Sequence, residues 1–125
     1  RGLGDVYKRQ QYSYVRCRSI FAKLGGDYVP DGTALELSEE RELHLARMLV
    51  RIGEMVPVVL EGFRPNLLAG YLLELARAYH SFFQSCPVLK SEGAIKDTRL
   101  ALCELTARVL RQGLQLLGIE VPERM

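Results

Sequence analysis

Residues 65–89, PNLLAGYLLELARAYHSFFQSCPVL, decide how the chain is read. Leu68, Leu72, Leu75, Tyr79, Phe82 and Cys86 recur at alternating steps of four and three, which lines them along one face of an α-helix. Gly70, Glu74, Arg77, Ser81 and Gln84 repeat those steps on the opposite face. Pro65 suits a first helical turn, where its missing N–H is not needed, and Pro87 marks the exit. A helix this long and this apolar has to be covered on most sides, so the remaining helical segments are expected to pack around it.

Working outward, residues 11–24 read as a helix with two stripes. Tyr14, Cys17, Phe21 and Leu24 form an apolar one; Tyr12, Arg16, Ser19 and Lys23 form a polar one headed by an aromatic ring. Gly25 and Gly26 end it, since glycine accepts the left-handed cap conformation. Residues 27–37 hold the turn residues Pro30, Asp31 and Gly32. Ser38 is a good N-cap, and Glu39, Glu40 and Glu42 load the next first turn with the charge its dipole favours. That helix is expected to run to about Ile52, with Leu43, Ala46 and Val50 inward and Arg47 and Arg51 solvated. Gly53 breaks it, and Pro57 opens a short helix over residues 58–63.

After the central helix, residues 90–93 form a polar connection. The last helix spans about residues 95–117, with Leu102, Leu105, Val109, Gly113 and Leu116 inward and Glu104, Arg108, Arg111 and Gln115 outward. Glu104 stands four residues before Arg108, the favourable order for an exposed pair. Gly118 caps the helix, and residues 119–125, IEVPERM, form a tail. No strand pattern exceeds a few residues. The reading is all-α, a bundle of about four or five helices.

The chain has 125 residues, one domain by length. No apolar run approaches the roughly 20 residues of a membrane span, and no signal-peptide pattern is present. Cys17, Cys86 and Cys103 are odd in number and far apart, which fits neither a disulfide framework nor a zinc site; they read as reduced thiols packed as small hydrophobes. The first ten residues, RGLGDVYKRQ, resemble translated library-adapter sequence and are set aside from the fold as a non-native segment. Of 17 basic and 15 acidic side chains, Arg1, Lys8, Arg9 and Asp5 fall there, so 14 of each remain and the balance is zero. Any nucleic-acid surface must then be a local patch.

There is no phosphate-binding glycine loop, HExxH, paired cysteine motif or nucleophile elbow. His44 and His80 stand alone, without ligand-spaced partners, and read as structural or solvated. The Tyr12, Arg16, Ser19, Lys23 stripe has two readings: a solvated face, which pattern alone favours, or a surface that stacks a splayed base and holds phosphates. Tyr79, Phe83 and Pro87 form a second line, with Tyr79 in the core and Phe83 near the polar side.

QYSYVRCRSIFAK, residues 11–23, is similar to the segment that opens the C-terminal anticodon-binding domain of arginyl-tRNA synthetases. LLAGYLLELARAYHSFFQSCPVL, residues 67–89, resembles that family's central helix, with its Tyr-Leu-x-Glu-Leu-Ala core. RLALCELTARVLRQGLQLLGIEVPERM, residues 99–125, resembles the family's C-terminus, including the final Pro-Glu-Arg-Met. The resemblance covers residues 11–125. It implies a helical bundle of the class I aminoacyl-tRNA synthetase anticodon-binding type, also called DALR-type, in a fragment lacking the nucleotide-fold catalytic domain that lies N-terminal in the family. It implies tRNA-Arg as partner through the anticodon loop, ATP with magnesium as cofactors of the parent enzyme, no cofactor in this chain, no membrane, a cytoplasmic location and a monomer. It places Tyr12, Arg16, Ser19, Lys23, Phe83 and Met125 at the RNA. Phe83 stands where the family has an aromatic that meets the anticodon loop, and as phenylalanine it lacks a tyrosine's hydroxyl. Glycyl β-subunit and cysteinyl relatives, or a helical protein-interaction module, are the alternatives.

Overall fold

The computed structural model describes residues 7–24, 39–52, 54, 65–91 and 93–118. They form four α-helices: α1 (Lys8–Leu24), α2 (Glu40–Val50), α3 (Pro65–Ser85) and α4 (Gly93–Leu116). Both α3 and α4 pack against all three of the other helices, so the centre is shared by two helices rather than held by one.

The stripe expected of α3 is its buried face. Leu72, Leu75, Tyr79 and Phe82 are fully buried, and Leu68 and Cys86 nearly so. Each such side chain stabilises the fold by about 1.5–3 kcal/mol relative to solvent exposure. Gly70, Glu74, Arg77 and Gln84 face solvent, and Ser81 is half-buried. Tyr14, Cys17 and Phe21 of α1 close over this core from one side.

Two faces differ from expectation. On α2, Val50 is 72% exposed and Leu43 and Ala46 are half-buried, while Glu42, Leu45, Met48 and Leu49 point inward. The reason is Glu42, whose carboxylate is drawn into the core by Arg99 of α4: Arg99 Nε donates to Glu42 Oε2 at 2.7 Å. Glu42 Oε1 accepts the Glu39 backbone N–H at 3.0 Å, which makes Glu39 the N-cap; Ser38, expected there, lies outside the described residues. Arg99 also donates to the Pro87 carbonyl at 2.7 Å, tying the exit of α3 to α4. The Tyr71 hydroxyl donates to the Met48 carbonyl, one of the last-turn carbonyls that α2 itself cannot satisfy.

On α4, Leu116 is exposed, Leu105 and Val109 are half-buried, and Glu104 is buried at 6% exposure. The continuous buried ridge is Leu100, Cys103, Ala107, Leu110 and Leu114, with Leu102, Thr106 and Gly113 beside it. A helix covered on several sides carries no single inward stripe. Glu104 is held there by Arg108 at 3.1 Å and Arg18 of α1 at 3.5 Å. Gly113 lets α4 approach α3 closely: a Cβ there would lie 2.7 Å from both methyl carbons of Leu72. Gly118 takes φ +80°, the left-handed cap expected of it.

α1 starts at Lys8 rather than Gln11. Tyr7 packs against the core and Gln10 is 3% exposed, so the end of the ten-residue segment set aside above is continuous with the domain. Extending a nucleated helix through Lys, Arg and Gln costs little. The expected loop over residues 27–37, the short helix over 58–63 and the tail with Met125 lie outside the described residues. No helix among the described residues is long and apolar enough to cross a membrane.

Candidate nucleic-acid interface

The site forms where the polar stripe of α1 meets the last turns of α3. Arg16, on the polar stripe of α1, is half-buried. Its guanidinium lies over the Phe83 ring, 4.7 Å from the centroid, and one of its terminal nitrogens is 3.0 Å from His80 Nδ1. Cation–π contacts of this kind are worth about 0.5–1 kcal/mol when exposed and more when desolvated. Phe83 in turn leans on Tyr79, with ring centroids 6.1 Å apart at 43°. Tyr79 is fully buried, so the aromatic support runs from the core to the surface.

One turn before Arg16, Tyr12 is 57% exposed. Lys8, Arg9, Tyr12, Ser13, Arg16 and His80 line an open groove of about 480 Å³. Among the described residues its lining carries the cations Lys8, Arg9 and Arg16 and no carboxylate.

The structure therefore brings together Tyr12, Arg16 and Phe83, but with a changed division of labour. Phe83 supports Arg16, and the guanidinium plane with Tyr12 forms the accessible surface. Ser19 and Lys23 are exposed on the same stripe but outside the groove. The Ser19 hydroxyl donates to the Val15 carbonyl within its own helix at 3.0 Å. Lys23 stands about 10 Å further along the axis, seven residues at 1.5 Å each. Met125 lies outside the described residues. Sequence reading missed His80, which pairs across 64 positions of sequence, and it set Lys8 and Arg9 aside with the first ten residues.

The three cysteines are free and buried. The Tyr79 hydroxyl lies 3.6 Å from Cys103 Sγ and also reaches Cys17. Burial pushes the Cys103 thiol up to about 12, tempered by the Tyr79 hydrogen bond. Burial, with Cys103 adding to it, raises Cys17 well above its ordinary value. Protonated interior thiols are poor nucleophiles and poor metal ligands. Among the described residues no group of three or more His, Cys, Asp or Glu is placed to hold a metal ion.

A family model described as DALR anticodon binding domain matches residues 10–125. The chain is 44% identical over 117 residues to an arginine–tRNA ligase of Colwellia psychrerythraea, covering 92% of this chain and 20% of the relative. It is 41% identical over 134 residues to one of Cutibacterium acnes, covering 98% of this chain and 24% of the relative. Among solved structures, an arginyl-tRNA synthetase of Thermus thermophilus superposes with a TM-score of 0.82 at 34% identity, over 93% of this chain and 20% of that one. The chain thus spans between a fifth and a quarter of the length of these relatives. Helices, core and sequence agree, and the chain belongs to the DALR anticodon-binding domain family, as it occurs in arginine–tRNA ligases.

Proposed function

We propose that the chain is the part of an arginine–tRNA ligase that grips the anticodon stem-loop of tRNA-Arg. The observation that carries this reading is the Arg16 guanidinium laid over Phe83 beside the exposed Tyr12 ring. Proteins read single-stranded RNA loops by stacking splayed bases on aromatic rings or arginine planes and bonding to their edges. Tyr12 and Arg16 supply both surfaces, and Arg16 keeps N–H groups for an acceptor on a base or phosphate. Lys23, further along the stripe, is placed as a phosphate contact. Ser19 keeps lone pairs that accept a hydrogen bond. Met125 is assigned to the anticodon loop by the family resemblance alone.

The parent protein, on this reading, is cytoplasmic and monomeric, and its N-terminal catalytic domain joins arginine to tRNA-Arg with ATP and magnesium. Residues 1–10 keep their reading as adapter-derived. Gln10, at that segment's junction, carries a buried Oε1 with no hydrogen-bond partner, a misfit of about 1–3 kcal/mol. Lys8 and Arg9 then add to the groove's charge without belonging to the parent.

Fluorescence anisotropy of the chain with a labelled tRNA-Arg anticodon stem-loop tests the reading. Arg16→Ala should weaken binding by about 1–3 kcal/mol, the scale of a charged hydrogen-bonding contact. Lys23→Ala should cost less and lose its effect at high salt. Equal binding to stem-loops of unrelated tRNAs would refute the assignment.

A further inference from the structure

We propose that His80 is a positioning residue for RNA recognition, holding Arg16 over Phe83 by accepting its hydrogen bond. The inference rests on the anticodon-loop reading for its ligand, while the clamp itself is a property of the free chain.

Arginine has five N–H donors and no acceptor. At 3.0 Å from an arginine nitrogen, His80 Nδ1 must therefore be the acceptor. The imidazole is then neutral, with its proton on Nε2. His80 and Phe83 are three residues apart on α3, so they share a face. Arg16 arrives from α1 and is seized at two points, its nitrogen by His80 and its plane by the Phe83 ring. An arginine side chain otherwise samples many rotamers, and ordering it on binding weakens affinity. Here the ordering is done before RNA arrives.

The clamp also sets what the groove offers. The N–H groups of Arg16 that His80 leaves unused are all donors. The ligand atoms they suit are acceptors, carbonyl oxygens or ring nitrogens of an unstacked base or phosphate oxygens. Packing does not explain His80: the residue is exposed, so removing it forfeits little buried area.

The test uses two readouts on this chain. The first is the side-chain Nε–H resonance of Arg16 by NMR, assigned with Arg16→Lys; a guanidinium over a ring is shifted upfield by the ring current. The second is affinity for the labelled tRNA-Arg anticodon stem-loop. His80→Asn, whose side-chain oxygen takes the place of Nδ1, should keep both. His80→Ala should return the resonance to the position of a free arginine and weaken binding about tenfold, the scale of one charged hydrogen bond, with an unchanged melting temperature. In an Arg16→Ala background, His80→Ala should cost nothing more.

An unmoved Arg16 resonance in His80→Ala overturns the proposal. So does full RNA affinity in that variant, or losses from His80→Ala and Arg16→Ala that simply add. Absence of RNA binding by the unaltered chain, with the resonance still lost in His80→Ala and kept in His80→Asn, would retire the anticodon reading and uphold the clamp.

Discussion

The Glu42–Arg99 pair offers a quantitative test of how this bundle is held. The Glu42 side chain is 0% exposed and accepts hydrogen bonds from Arg99 Nε at 2.7 Å and the Glu39 N–H at 3.0 Å. Each bond to a charged group contributes about 1.5–3 kcal/mol net. Breaking a buried pair by removing one partner costs about 3–5 kcal/mol, because the survivor stays buried and uncompensated. The two partners are not equivalent. In Glu42→Ala, Arg99 keeps its bond to the Pro87 carbonyl and its side chain is 11% exposed, so the loss should fall near 3 kcal/mol. In Arg99→Ala, Glu42 has no route to water, and the loss should approach 5 kcal/mol. Replacing both, as Glu42→Leu with Arg99→Met, should recover most of the loss, since an apolar pair of similar volume is often as stable as a buried ion pair. Urea unfolding followed by circular dichroism at constant slope measures all three. A chain of 125 residues holds on the order of 0.05–0.15 kcal/mol per residue in total, so each single change should move the midpoint far. Losses below about 1 kcal/mol, or a larger loss in Glu42→Ala than in Arg99→Ala, would refute the reasoning from burial.

Alkaline pH should destabilise the fold. Cys103 ionises at about 12 when folded but near 8.5 in an unfolded chain; the unfolded state therefore releases its proton first, and stability falls as pH rises from about 9, by up to about 1.4 kcal/mol per pH unit per thiol. Cys17 shifts in the same direction, so Cys103→Ala should flatten the fall without abolishing it; a urea midpoint that stays level to pH 10.5 contradicts this. Gln10→Leu should stabilise the chain by about 1 kcal/mol by removing the orphaned Oε1, while deletion of residues 1–6 should leave the melting temperature unchanged, against a drop on deleting residues 1–10, which takes Tyr7 and the first turn of α1. Deleting Glu123, Arg124 and Met125 in the full ligase should lower aminoacylation of tRNA-Arg well over tenfold with little change in melting temperature; equal losses in both would mean that the tail is structural.

The buried face of α3 was legible because every member of the stripe is apolar and the period is unbroken from Leu68 to Cys86. Tyr12 and Arg16 were legible as a pair for the same reason, since one helical turn separates them. The faces of α2 and α4 were not. A glutamate reads as solvent-facing unless its partner is known, and Arg99, which pairs with Glu42, and Arg18, the second partner of Glu104, stand on other helices. The same blindness hid His80, whose meaning comes from an arginine on α1. Phe83 stands under Arg16, but one cannot see from a sequence which face of a ring another side chain already covers.

The contact between Gly113 and Leu72 bears on how this domain can diverge. With the leucine methyls 2.7 Å from where a Cβ would stand, an alanine at position 113 demands a shorter or rotated side chain at 72. A shorter residue at 72 alone leaves a hole that glycine cannot fill, and core cavities cost roughly 24 cal/mol per Å³. Neither single step is free, whereas the paired exchange preserves volume. Lineages of this fold should therefore drift at these two positions together, and an alignment deep enough to resolve pairs should show them as coupled sites.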